Sequence, residues 1–202
     1  MMAPFAAALF AGGRSTRMGE DKATLAWRGR TLLERQLDTL RALRPARLFL
    51  SVREAVPAPD DVTVVPDPPQ IDCGPLGGLL ATLERCEVAG LPRLLVLAVD
   101  MPRMTADRLR LLLDQSEGMG AIPELEGGRL EPLAALWPTS LLPEVRAHLA
   151  GPDSSFHRLA RCGIESEKLR SLPVPPEEEG FFLNVNRKSD WETFLKSENL
   201  EA

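Results

Sequence analysis

The segment from Phe5 to Ala11 is an unbroken apolar run that stops at Gly12-Gly13, and it restricts the fold more than any other feature of the chain. A strand with one wet face alternates apolar and polar residues, whereas a run without alternation needs cover on both faces, as in a parallel sheet between helices. The pattern then repeats. Thr31 and Glu34 have the spacing of a capping box, and Leu33, Leu37 and Leu40 recur at helical spacing, so an amphipathic helix is expected to run to about Leu43. Arg47 to Val52 reads as a second strand and the β-branched Val62 to Val65 as a third, stopped by Pro66. A helix from about Leu76 to Arg85 follows, then the wholly apolar strand Leu94 to Val99, then a helix capped by Thr105 with Leu109, Leu112 and Leu113 inward. Regular strand-helix alternation implies right-handed crossovers and a parallel sheet.

The second half is less regular. Strands are expected at Ala121 to Pro123 and Leu133 to Trp137 around a Gly127-Gly128 turn, with helices near Leu141 to Leu149 and Ser154 to Cys162. Phe181 to Val185 reads as a late strand, and Ser189 with Glu192 as a second capping box opening the terminal helix. The expected fold class is α/β, with a three-layer, doubly wound, mostly parallel sheet and a small β-hairpin insertion. At 202 residues and 44% hydrophobic, the chain is expected to form a single domain, 1–202.

A formal charge of -5 argues against a broad nucleic-acid or anionic-membrane surface, so any anion site must be a local concentration of positive groups. Three cysteines without C-x-x-C pairing suggest neither a disulfide framework nor a zinc cage. No apolar stretch approaches a membrane span and the start Met1-Met2-Ala3-Pro4 lacks a basic signal region, which together predict a cytoplasmic protein. A monomer is expected.

The segment Phe10-Ala11-Gly12-Gly13-Arg14-Ser15-Thr16-Arg17-Met18-Gly19-Glu20-Asp21-Lys22 stands where the first strand hands over to its crossover, and ligands of open α/β sheets bind beyond the carboxyl ends of strands. Gly12 and Gly13 let backbone N–H groups approach phosphate oxygens, while Arg17 and Lys22 supply the charge a triphosphate needs. The spacing fits neither the P-loop nor the dinucleotide fingerprint. On the residues alone, a glycine turn followed by solvated basic side chains remains an equal alternative. Likewise Asp100 sits where magnesium would be expected, at a strand's carboxyl end opposite a glycine loop, or else closes an Asx turn before Pro102. Asn184 and Asn186 share one face of the expected strand, and Asp67 lies in a proline-flanked loop.

The pattern A-G-G-x-S-x-R-M-G-x-D-K resembles the nucleotidyltransferases that include the molybdenum cofactor guanylyltransferases. Three further segments resemble that family in the same order: Asp72-Cys73-Gly74-Pro75-Leu76-Gly77-Gly78, Val99-Asp100-Met101-Pro102, and Asn184-Val185-Asn186 before an acidic helix start. The resemblance spans almost the whole chain. It implies a Rossmann-like nucleotidyltransferase fold and transfer of GMP from GTP to the terminal phosphate of molybdopterin, with Mg²⁺ as the cofactor. Phe10, Ala11, Gly12, Gly13, Lys22, Asp67, Gly74, Pro75, Leu76 and Asp100 would contact the nucleotide. Asp100 would bind the metal, Arg17 and Lys22 would act with it in catalysis, and Asn184 and Asn186 would line the pterin side. Transient contact with cofactor-biosynthesis or acceptor proteins would be in keeping. The A-G-G and G-P-L segments are of the GTP-using kind, while Phe10, Gly77, Ser51 and Arg53 depart from the usual family residues. Other readings are a cytidylyl- or sugar-phosphate nucleotidyltransferase of the same build, or a GTP-binding module without turnover.

Overall fold

The computed structural model describes residues 3–12, 22–54, 56–68, 74–151 and 155–200. Strands β1 (Ala6–Phe10), β2 (Ala26–Trp27) and β3 (Arg30–Thr31) lead into helix α1 (Leu32–Arg41), then β4 (Arg47–Val52), β5 (Thr63–Pro66) and α2 (Pro75–Val88). The chain continues through β6 (Arg93–Ala98), α3 (Ala106–Gln115), β7 (Gly120–Leu125), β8 (Arg129–Leu130) and β9 (Ala134–Pro138). It ends with α4 (Leu142–Leu149), α5 (Phe156–Glu165), β10 (Leu169–Pro173) and α6 (Lys188–Leu200). The main sheet runs in the order β10-β7-β9-β6-β1-β4-β5, with β8 paired to β7. β1 lies parallel to both β4 and β6, β5 parallel to β4, and β10 parallel to β7, whereas β9 runs antiparallel to β6 and β7.

Period-two alternation of short apolar side chains explains how one strand serves two cores. Ala7 and Leu9 of β1 enter the core shared with Leu37 and Leu40 of α1, Leu109, Leu112 and Leu113 of α3, and Phe194 of α6. Ala6, Ala8 and Phe10 enter the opposite core, with Leu79 and Leu83 of α2, Val145 of α4 and Leu159 of α5. Helices therefore cover both faces, as the unbroken runs require. The predicted start of α1 holds: Glu34 N–H donates to Thr31 Oγ1 at 3.2 Å, and Thr31 N–H donates to Glu34 Oε2 at 2.8 Å. Thr105 likewise accepts from Arg108 N–H at the start of α3. The two strands expected around the Gly127-Gly128 turn are β7 and β9, which pair antiparallel. The turn itself, with both glycines at positive φ, leads into the short β8, which also pairs with β7 and was not expected.

Three expectations need correction. Phe181 to Val185 is not a strand: residues Pro176–Phe182 form a 3-10 helix, and Val185 N–H bonds the carbonyl of Asp100 instead of a sheet ladder. The apolar period there came from Phe182 and Val185 packing into the core singly. At α6, Ser189 already lies inside the helix, and Asp190 reaches back to accept from Asn186 and Arg187 N–H at 2.9 and 2.8 Å. Finally, β10 and the small β2–β3 ribbon have no counterpart in the sequence reading. Leu169-Arg170-Ser171-Leu172-Pro173 carries only two buried apolar residues and an edge proline, a weak strand signal. The predicted start of α5 at Ser154 lies outside the described residues.

Candidate active site

The direction of winding changes at β1. From β1 the chain crosses through α1 to β4 on one side, and later returns through α2 to β6 on the other. Such a switch point opens a crevice beyond the carboxyl ends of the strands, and this is where the functional side chains collect. The crevice has two parts.

The first part lies over β1, β4 and β5. Ala11 N–H donates to Ser51 O at 2.9 Å and Asp67 N–H to Val52 O at 2.7 Å, so three strand ends advance together. Ser51 Oγ donates to Asp67 Oδ1 at 3.2 Å. Burial pushes the Asp67 carboxyl above its ordinary range, against the opposing pull of the Ser51 hydroxyl and the Arg53 charge. Two glycines make room for this pair. A Cβ at Gly12 would stand 3.2 Å from Asp67 Oδ2, and one at Gly78 would land on Ser51 Oγ and stand 3.1 Å from Asp67 Oδ1. Phe10, whose ring forms a wall 3.3 Å from the same Gly78 position, completes a cradle with a half-buried carboxyl and a hydroxyl at its base. Gly78→Ala is therefore expected to push Ser51 off Asp67 and weaken nucleotide binding by about tenfold, the scale of one hydrogen bond to a charged group. Calorimetric titration with nucleotide checks this, and unchanged affinity would separate the cradle from binding.

The second part lies over β6. Val99 N–H donates to Phe10 O, Val185 N–H to Asp100 O at 2.8 Å, and the buried Gln36 Nε2 to Met101 O at 2.5 Å, so the Asp100 backbone is tied from three elements. Lys22 Nζ donates to Asp100 Oδ2 and to Asn186 Oδ1, each at 2.8 Å. Lys22 and Asp100 keep only 16% and 18% of their side-chain surface. Asp100 Oδ1 is buried without a hydrogen-bond partner, an orphaned oxygen beside an ammonium that already takes the place of a cation. A carboxylate and an amide oxygen are hard donors suited to Mg²⁺, which is commonly held by one or two carboxylates with water and substrate phosphates filling the shell. The donor set fits that ion.

The predicted residues thus divide cleanly. Phe10, Ala11, Gly12 and Asp67 share the first part, while Lys22, Asp100 and Asn186 meet in the second. Asn184 lies beside them, donating from Nδ2 to Phe182 O at 3.4 Å, and the N–H of Val185 next to it donates to Asp100 O. Gly74 takes φ 56° and ψ −138° as the cap of α2, with Pro75 at its first turn, a backbone conformation open to glycine. The Leu76 side chain is buried in the core with Phe10. Gly13, Arg17, Asp72 and Cys73 lie outside the described residues.

Sequence reasoning passed over Glu131. It is 7% exposed, and burial pushes its carboxyl above the usual range. Arg129, the Leu133 N–H and Asn184 pull the other way, while the charge of Asp100 adds to the rise. The available signal was a lone charge within the otherwise apolar Leu130-Glu131-Pro132-Leu133-Ala134-Ala135-Leu136-Trp137. Ser51 was noted only as a departure from the family pattern, yet it hydrogen-bonds the pocket aspartate.

A sequence profile of the MobA-like NTP transferase domain matches residues 7–165. The chain belongs to this family. A probable molybdenum cofactor guanylyltransferase of Opitutus terrae is 34% identical over 92% of this chain and 92% of its own length. Another from Deinococcus radiodurans is 34% identical over 94% and 93%. The molybdopterin-guanine dinucleotide biosynthesis protein A of Archaeoglobus fulgidus superposes with a TM-score of 0.72 at 18% identity, covering 95% of this chain and 97% of that one, which supports the shared fold. Within the family-matched span lie both the cradle and the Lys22–Asp100 pair, and the Asn184–Asn186 segment lies beyond it.

Proposed function

We propose that this member of the MobA-like NTP transferases moves GMP from GTP to the terminal phosphate of molybdopterin, releasing pyrophosphate. The observation that carries the reading is the meeting of a half-buried ion pair, Lys22 with Asp100, joined by Asn186, and a carboxyl-based cradle at one switch point. The similarity to guanylyltransferases over nine-tenths of the chain supports the choice of reaction.

In this mechanism the base and ribose lie toward Gly12, Ser51 and Asp67, and the phosphates toward Lys22 and Asp100. The acceptor phosphate is already ionised at neutral pH, so its oxygen can attack the α-phosphorus without a strong general base. One P–O bond forms to the acceptor as the bond from the α-phosphorus to the departing pyrophosphate breaks. Lys22, and by family resemblance Arg17, offset the repulsion between two anionic reactants. Asp100, with its orphaned oxygen, would hold Mg²⁺, which supplies further charge neutralisation at the phosphates. Catalysis then rests on positioning and electrostatics. In this reading the protein works as a monomer in the cytoplasm; no helix among the described residues is long and apolar enough to cross a membrane.

Thermal melting with each nucleotide and Mg²⁺ tests the base preference. At about 100 times its Kd, GTP should add roughly 2.7 kcal/mol, or about 5–10 °C in a chain of this size, with CTP, ATP and UTP well behind. A larger shift with CTP would move the reading to cytidylyl transfer. The mass of the product from GTP and purified molybdopterin decides the acceptor, and tight GTP binding with no product would reveal a nucleotide-binding module instead.

A further inference from the structure

Helix α1 carries one side chain that its packing does not explain. Leu32 and Leu40, one turn to either side of Gln36, have no exposed surface, and Leu37 beside it keeps 2%. Gln36 is itself 2% exposed, so a primary amide stands on a face otherwise built from leucines. Its Nε2 donates to Met101 O, whereas Oε1 is buried with no hydrogen-bond partner among the described residues. An amide buried with its acceptor unmet costs stability, and an apolar side chain of the same length would avoid that cost. A polar group kept at a cost to the fold points to a contact that serves something other than folding.

That contact is the Met101 carbonyl. Met101 follows Asp100, and its carbonyl also accepts from Met104 N–H at 3.1 Å, closing the turn after β6. The carbonyl would therefore keep a donor without Gln36. What Gln36 adds is a tie across 65 residues, from α1 to the peptide next to Asp100. Around Asp100, Val99 N–H holds Phe10 O, Val185 N–H holds Asp100 O at 2.8 Å, and Lys22 holds Asp100 Oδ2. These bonds fix the strand end and the carboxylate, and the Gln36 amide fixes the loop that leaves them.

We infer that Gln36 is a positioning residue for Asp100: its amide holds the Met101 carbonyl and thereby sets where the Asp100 carboxylate stands relative to Lys22 and the phosphates. Its role in turnover rests on the reaction proposed above, whereas its constraint on the Asp100 backbone does not. The cradle of Ser51, Asp67 and Gly78 is built at the ends of β4 and β5 and on α2, and does not include Gln36.

Gln36→Met tests it, because methionine keeps the length of the side chain and removes both polar atoms of the amide. The melting temperature should equal or exceed that of the wild type, since the orphaned oxygen is gone and Met101 O retains Met104 N–H. Yet kcat for GMP transfer should fall by about tenfold, with the calorimetric Kd for GTP within about twofold, because a small misplacement of a reacting group costs rate before it costs binding. Adding Gln36→Met to Asp100→Ala should cost nothing more, because two residues acting through one carboxylate are not additive. A glutamine with a purely structural role would lower Tm and kcat together, and that result overturns the proposal. A wild-type kcat in the folded variant, or additive losses in the double variant, would do the same. Should the methionine variant fail to fold, Gln36→Leu carries the same comparison. Amide hydrogen exchange needs no substrate: Val185 N–H, bonded to Asp100 O, should exchange about tenfold faster in Gln36→Met while the amides of β1 exchange no faster. Unchanged exchange at Val185 would sink the proposal. If the wild-type chain transfers no GMP, the reaction itself is lost, and the exchange measurement decides the Gln36 contact by itself.

Discussion

Asp100→Ala is expected to lower kcat/KM for GMP transfer by about 100-fold or more while leaving the fold intact. Loss of one preorganised electrostatic group at a reacting centre costs ~2.7 kcal/mol or more in the transition state, which sets that scale. Asp100 is the shared partner of the centre: its Oδ2 holds Lys22, its buried Oδ1 is the natural donor to a cation, and its carbonyl anchors Val185. Only the side-chain functions are lost in the alanine variant, because the backbone bonds to Val185 and from Val99 to Phe10 remain. Pyrophosphate release gives the rate, and circular dichroism with thermal melting reports the fold. A folded variant turning over near the wild-type rate would remove Asp100 from the chemistry. Lys22→Ala should fall by a similar factor, since it strips the phosphates of the cation that bridges Asp100 and Asn186.

The second large effect concerns stability. Trp137→Ala should destabilise the protein by ~3–5 kcal/mol, the usual cost of deleting a fully buried aromatic side chain and leaving a cavity. Trp137 has no exposed surface, packs edge-on against Phe156 of α5 at 5.5 Å, and donates from Nε1 to Pro132 O. Its removal also leaves a buried carbonyl without its donor. For a chain of this size the melting temperature should drop by roughly 6–20 °C. A drop below about 2 °C would mean that α4 and α5 collapse onto β9 and refill the space.

Most of the first half was legible from local pattern. The runs at Phe5 to Ala11 and Leu94 to Val99 had no polar face, so strands covered on both sides were the reading that satisfied their composition, and both became central strands. Thr31 with Glu34 and Thr105 set their helix starts through contacts three residues away, a range that sequence spacing captures directly. The later elements were harder because their signals were mixed. Residues 181–185 looked like a strand on composition, but the N–H of Val185 found its acceptor on Asp100 and the segment never entered a ladder. Leu169 to Pro173 drew no assignment, yet it docked in parallel against β7, where a partner strand supplied what its own residues lacked.

What the chain determined by itself is the local chemistry: buried strands, capped helices, a glycine-lined strand end with cationic residues after it, and an aspartate closing β6. Each follows from forces acting over a few residues. The tertiary structure alone decided that Lys22 meets Asp100 across 78 residues and Asn186 across 164, that Ser51 bonds Asp67 against a glycine of α2, and that the carboxyl of Glu131 is buried. Those meetings depend on the order in which strands pair on either side of β1, and no spacing along the chain encodes the distance between residues that only sheet assembly brings together.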